Sequence, residues 1–198
     1  MAGTWPKGKL CHPTHESLTL ADLLQALLPD IKPCSEFIFK SGDSFNAMCQ
    51  LIFQLRLLSH RINAFLKFAD PDHHAELLKV VEKINALIPS YKSLCAIDPL
   101  LYEGREILFN RLSGLHTDSQ DPPLGYAILA AFGDFKGGYV YLPNLGLRIR
   151  LHPGDVILLR GRVVPHVIEE WDEGQRICIP HFTHSSTWRA AGNNTVFI

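Results

Sequence analysis

The segment GLHTDSQDPP sets His116 and Asp118 two positions apart. In an extended strand, residues i and i+2 point to the same side, so an imidazole nitrogen and a carboxylate oxygen can reach one ion. A helix would separate them. A third ligand must then come from another strand, and the run VVPHVIEE offers His166 in an otherwise apolar stretch. Two imidazoles and one carboxylate fill three positions of an octahedral ion and leave one face open, the arrangement of non-haem iron(II) oxygenase chemistry. A lone His-x-Asp is common, and a lone strand histidine is more often a hydrogen-bonded core residue. The combination is what carries specificity.

Ten residues beyond His166, Arg176 opens the β-type run RICIPHFTH. An arginine in such a run costs stability unless a carboxylate meets it, and its planar fork suits bidentate capture. His-x-Asp, a distal histidine and then this arginine together fit the iron and 2-oxoglutarate dioxygenases, in which the arginine holds the 5-carboxylate of 2-oxoglutarate. Taken alone, Arg176 would more often be half of an ion pair. A rival cluster at Cys11, His12 and His15 lacks the second ligand pair of a zinc site and reads as a solvated arm. The glycines of FKGGYVYLP read as turn geometry rather than a phosphate cradle, since no helix follows them.

Elements must hold these residues, and the chain has two textures. SLTLADLLQALLP, with Pro29 as its stop, has apolar residues at helical spacing. SGDSFNAMCQLIFQLRLLSHRINAFLKFA is a longer helical run with Ser41 or Asp43 available as cap. DPDHHAELLKVVEKINALIP places Asp70 as N-cap, Pro71 at the first helical position and Pro89 as terminator. From about residue 105 the period shifts toward two and turn residues multiply. GYAILAAFG, GGYVYLP, LGLRIRL, GDVILLRG, VVPHVIEEW and QRICIPHFTH read as short strands, with LRIRLHPGDVILLRG as two strands around a Pro-Gly-Asp turn. The pattern predicts one α+β domain: a jelly roll or barrel with helices packed outside it.

Bulk properties set outer bounds. With 198 residues, 46% apolar and 20% charged, the chain suits one sizeable globular core. A formal net charge of −1 argues against a broad basic surface for nucleic acid. Arg105, Arg111, Arg148, Arg150, Arg160, Arg162 and Arg189 still make the β half locally basic. Five scattered cysteines without a CxxC pair suit free thiols in a reducing compartment. No apolar run approaches a bilayer span, and the first residues show no secretory pattern.

NRLSGLHTDSQDPP, FGDFKGGYVYLPNLGLRIRLHPGDVILLRGRVVPHVIEEW and QRICIPHFTHSSTW together resemble the TET/J-binding-protein group of dioxygenases, its fungal members in particular. The likeness runs in register over about residues 102 to 190, with none seen in the helical half. It implies a single dioxygenase domain over residues 1–198, with helical support at about 17–94 and a double-stranded β-helix core at about 102–190. It further implies Fe(II) and 2-oxoglutarate as cofactors and oxidation of a methyl group on a DNA base, 5-methylcytosine first. Carried over by position, His116, Asp118 and His166 resemble the iron ligands and Arg176 the 2-oxoglutarate anchor.

The animal TET enzymes read R-I-S-L-x-x-Y-x-H on that strand, the tyrosine stacking on the flipped base and the histidine meeting its edge. Here Phe182 resembles the stacking residue and His184 the edge contact. Asp121 stands where those enzymes carry a base-touching asparagine, a departure that would favour an exocyclic amine such as the 4-amino group of cytosine. Without the family register, Phe182 in an apolar run is more often core, and Asp121 before Pro122-Pro123 reads as a turn former. Other methylated bases (N6-methyladenine, thymine), a small molecule or a peptide remain alternative substrates. A fold that only binds is a further alternative, against which the intact ligand set speaks. The resemblance also implies a nuclear, otherwise cytoplasmic, monomer that contacts DNA and no membrane.

Overall fold

The structure is a computed structural model and describes residues 14–19 and 42–192. Two compact units emerge, one built on the chain up to Glu16 together with Glu106–His181, the other on Ser17–Arg105 together with the chain from Phe182.

The helical unit contains α1 (Gly42–Ala69), α2 (Pro71–Leu87), α3 (Pro89–Ile97) and the short α4 (Ser185–Ala190). Local chemistry explains where α2 begins. Asp70 accepts the His73 N–H at 2.9 Å, and Pro71, which has no N–H to satisfy, opens the helix. His73, Leu77, Val80 and Ile84 recur at helical spacing and form its buried face. Pro89 ends α2 as expected, but it also opens α3, a helix the sequence reading did not anticipate. Between α1 and the chain entering the sheet, Asn63 donates to the Pro99 carbonyl at 2.7 Å and accepts the Leu101 N–H at 3.1 Å. Arg105, counted above among the basic residues, is buried and paired with Asp98 at 2.6 Å. The Ser59 hydroxyl accepts from the same guanidinium at 2.5 Å.

One helical expectation needs correction. Ser17–Thr19, read as the start of an apolar helix, belong to strand β1 (Thr14–Thr19). Pairing at the edge of a sheet, next to β2 (Gly104–Phe109), outweighs the apolar spacing there. His15 lies in the same strand. Cys11, His12, the rest of that first helix with Pro29, and Ser41 lie outside the described residues.

The β unit is antiparallel. Its largest sheet has the order β1-β2-β10-β3-β7, where β3 is Ala127–Gly133, β7 is Val156–Leu159 and β10 is Arg176–Phe182. β10 pairs with β3 from Arg176↔Gly133 to His181↔Ile128, and β3 pairs with β7 from Ala127↔Leu159 to Ala130↔Val156. A second sheet has the order β6-β5-β8, formed by Leu147–Ile149, Val140–Leu142 and Val167–Ile168. The ribbon of β4 (Lys136–Gly137) and β9 (Trp171–Glu173) completes the unit.

The Pro-Gly-Asp turn forms as read, with Asp155 N–H donating to the His152 carbonyl at 2.9 Å. The strands flanking it do not pair with each other. β6 joins β5 and β7 joins β3, so the turn passes the chain from one sheet to the other. Alternation of consecutive strands between two sheets is the winding of a jelly roll. Ala127–Ala131 are buried on both faces of β3, which explains their unbroken apolar run.

Candidate metal centre

His116 and His166 face each other across an isolated antiparallel bridge. Each donates its backbone N–H to the other's carbonyl, at 3.1 and 3.0 Å. This pairing brings the rings to a centroid separation of 4.2 Å. Asp118, two residues on, donates its own N–H to the Gly161 carbonyl at 2.9 Å, which fixes it against the turn after β7. The three side chains offer ligand atoms that all lie within 4.8 Å of one another. Asp118 Oδ1 is 3.5 Å from His116 Nε2 and 3.9 Å from His166 Nε2. Neighbouring ligands of an octahedral ion with bonds near 2.1 Å sit about 3 Å apart, so a slight closure completes the set.

The tautomers follow from the partners. His116 Nδ1 lies 2.8 Å from the Gly114 carbonyl and His166 Nδ1 lies 3.0 Å from the Val164 carbonyl. A carbonyl only accepts, so each Nδ1 carries the proton and each Nε2 lone pair is left for a metal. Burial pushes the His166 imidazole below its usual range, against the opposing pull of the Val164 carbonyl and Asp118. A neutral ring is the form that ligates.

Gly161 makes the geometry possible. A Cβ there would overlap Asp118 Oδ2, sit 2.7 Å from Asp118 Cγ and lie 3.2 Å from His166 Cε1. Nothing in the local sequence announces this glycine, because the crowding arises between segments far apart in the chain.

Arg176 is 1% exposed. Its Nε and Nη2 have no hydrogen-bond partner among the described residues. Phe135 and Trp171 flank the guanidinium at 5.4 and 5.8 Å from their ring centroids, and the Cys178 thiol lies beside it. A buried cation left without a counter-charge costs several kcal/mol. The orphaned donors therefore fit a carboxylate ligand, as the far end of 2-oxoglutarate would supply. Asn110 fixes the backbone here. Its side-chain oxygen accepts the Arg176 N–H and its N–H donates to the Arg176 carbonyl, both at 2.8 Å. Asn110 does so at φ 50°, a left-handed conformation that asparagine tolerates better than most residues. The sequence reading missed it.

Asp121 is buried, and its N–H donates to the Asp118 carbonyl at 3.0 Å. Phe182 and His184 belong to the helical unit, with rings stacked at 4.9 Å and planes 22° apart. A Cβ on Gly104 would meet the Phe182 ring, 2.5 Å from Cδ2 and 2.8 Å from Cζ. Glu103, also missed by the sequence reading, is buried and accepts the His184 N–H at 2.8 Å. Burial pushes its carboxyl up to about 7, against the opposing effect of Thr183, the His184 N–H and Thr187. Of the basic residues, Arg148 is engaged with Glu169 at 2.6 Å, Arg162 with the Ser119 carbonyl and Arg160 with the Tyr126 ring. Arg111, Arg150 and Arg189 are exposed.

Residues 26–185 match the family model for the Tet/JBP oxygenase domain of the 2OGFeDO superfamily. Comparison with the curated proteins returns no match. Among solved structures, NgTET1 in complex with 5mC DNA aligns with a TM-score of 0.56 and 22% identity over 74% of this chain. The alignment spans 55% of the NgTET1 chain, so this chain corresponds to little more than half of it. A viral collagen prolyl hydroxylase from Paramecium Bursaria Chlorella virus-1, in its 2OG complex, aligns at 17% identity and a TM-score of 0.32, covering 41% of this chain and 57% of that one. A cupin 2 conserved barrel domain protein from Salinispora arenicola aligns at 16% identity and 0.27, covering 44% and 70%.

Proposed function

Because this chain belongs to the Tet/JBP family of Fe(II)- and 2-oxoglutarate-dependent dioxygenases, we propose that it oxidises a methyl group on a base in DNA. The proposed reaction takes 5-methylcytosine to 5-hydroxymethylcytosine and further. The observation that carries the catalytic part is the convergence of His116, Asp118 and His166 on one point. For the substrate, support comes from the match of the Arg176–His184 strand to the TET pattern and from the fold shared with a TET protein described in complex with 5mC DNA.

Fe(II) with 2-oxoglutarate, when bound, would activate dioxygen, the oxidant that turns a methyl into a hydroxymethyl group while 2-oxoglutarate becomes succinate and carbon dioxide. This chain's residues bind and orient. His116 and His166 present Nε2 lone pairs, and Asp118 adds the charge that two neutral imidazoles lack. Arg176 takes the 5-carboxylate of 2-oxoglutarate, aligning the cosubstrate through a bidentate pair. A base stacked in a duplex cannot present its methyl group to such a centre, so it must be flipped, and Phe182 replaces part of the stacking it loses. His184 meets the base edge. Asp121, an acceptor when ionised, takes the 4-amino group and disfavours the carbonyl of thymine. Exposed Arg111 and Arg150 contact phosphates and set the position on the duplex. The chain acts as a monomer on nuclear DNA.

The near-neutral charge favours one rival, a dioxygenase for a small molecule or peptide side chain. The discriminating experiment measures Fe(II) and 2-oxoglutarate binding without oxygen, then analyses nucleosides from methylated DNA by mass spectrometry after oxygen is admitted. Oxidised 5-methylcytosine supports the proposal, and oxidised N6-methyladenine moves it to another base. Succinate formed without any base change supports the rival.

A further inference from the structure

Glu103 is a buried carboxyl group that neither the metal centre nor the 2-oxoglutarate anchor uses. Its oxygen accepts the His184 backbone N–H at 2.8 Å, and the hydroxyls of Thr183 and Thr187 favour its ionised form. That N–H stands at the start of α4, where intrahelical partners are missing, and Glu103 supplies an acceptor for it. The next residue, Gly104, seats the Phe182 ring, since any side chain there would displace it. Phe182 in turn stacks on His184. Two consecutive residues at the head of β2 thus hold both ends of one aromatic pair: Gly104 through the ring, Glu103 through the backbone.

We propose that Glu103 is a positioning residue that locks Phe182 and His184 into a preformed aromatic surface for the flipped base. The inference rests on the reading of Phe182 and His184 as substrate contacts. Glu103 does not touch the substrate, because it is buried and its Oε1 is turned to the His184 N–H. Its effect is pre-organisation. A pair that already stands in the binding geometry loses little freedom on binding, whereas a loosened pair must be ordered each time.

The test uses the full chain loaded with Fe(II) and 2-oxoglutarate without oxygen, and a fluorescent duplex carrying one 5-methylcytosine. Binding is read by anisotropy for wild type, Phe182→Ala, Glu103→Ala, Glu103→Asp and Glu103→Gln, with 2-oxoglutarate affinity and circular dichroism recorded for each. Glu103→Ala should weaken duplex binding about tenfold and leave 2-oxoglutarate affinity unchanged. Glu103→Asp, one methylene too short to reach the His184 N–H, should weaken binding similarly and serves if the alanine variant fails to fold. Glu103→Gln keeps an acceptor oxygen and should restore most of the affinity. With oxygen present, the loss in Glu103→Asp should appear in KM for DNA rather than in KM for 2-oxoglutarate. Wild-type duplex binding by Glu103→Asp, with Phe182→Ala weakened, overturns the positioning role alone. Wild-type binding by Phe182→Ala overturns the substrate-contact reading and this inference with it.

Discussion

Replacing Gly161 by alanine isolates the metal centre from everything around it. The added methyl would overlap Asp118 Oδ2 and lie 2.7 Å from Asp118 Cγ, where ordinary carbon contacts are about 3.5–4.0 Å. The carboxylate must therefore retreat by about 1 Å. Its backbone cannot follow freely, because the Asp118 N–H is held by the Gly161 carbonyl at 2.9 Å. Misplacement on this scale removes the charged ligand from the reach of an ion held by His116 and His166. The effect should resemble the loss of an orienting partner at a metal site, which typically costs 10–100-fold in metal affinity. Gly161 is not in a left-handed conformation, so alanine adds no backbone strain and the fold should persist. Anaerobic titration with Fe(II), followed calorimetrically for wild type and variant, reads the change directly. An unchanged Fe(II) affinity in a folded Gly161→Ala protein would refute the geometric argument for Asp118 as a ligand.

Other substitutions test separate links. Arg176→Lys keeps the charge but loses the fork, so the 2-oxoglutarate concentration needed for half-maximal turnover should rise at least tenfold, measured by succinate release. Asp121→Asn should change the ratio of products among bases more than the rate of uncoupled 2-oxoglutarate decay, read by nucleoside mass spectrometry. Burial raises the Glu103 carboxyl from 4.5 to about 7, so the folded chain holds its proton more tightly than the unfolded chain. That contribution to stability is fully present below about pH 4.5 and is lost as pH rises through about 7, on the order of 3 kcal/mol in all. Glu103→Gln should therefore raise the melting temperature relative to wild type near pH 8 but not near pH 4.5. Parallel pH profiles of the two proteins would contradict this.

Much of the β unit was legible in the sequence because its signals are local. Short runs bounded by glycine and proline located β3, β5, β6, β7 and β10. The i, i+2 spacing of His116 and Asp118 with a distal histidine pointed to the three side chains that the His116–His166 bridge brings together. Pairing partners were not legible. LRIRLHPGDVILLRG reads as two strands around a turn, yet those strands enter different sheets, since register depends on surfaces elsewhere in the fold. Pro89 illustrates a local ambiguity, because a proline that stops one helix is equally suited to start the next. Ser17–Thr19 show edge pairing overriding apolar spacing. Gly161, Asn110 and Glu103 were invisible for a common reason. Each acts on a residue far along the chain, and only the folded arrangement makes its size, conformation or charge matter.

Oxidation of 5-methylcytosine in DNA by this chain, as proposed, is tested most directly by a competition assay. Duplexes carrying 5-methylcytosine, N6-methyladenine or thymine alone are mixed in equal amounts with enzyme, Fe(II), 2-oxoglutarate and oxygen. Nucleosides and succinate are then quantified together by mass spectrometry. The expected main nucleoside product is 5-hydroxymethylcytosine, formed in proportion to succinate and abolished by Asp118→Ala. Succinate accumulating with every base unchanged, or oxidation of N6-methyladenine in preference to 5-methylcytosine, would contradict it.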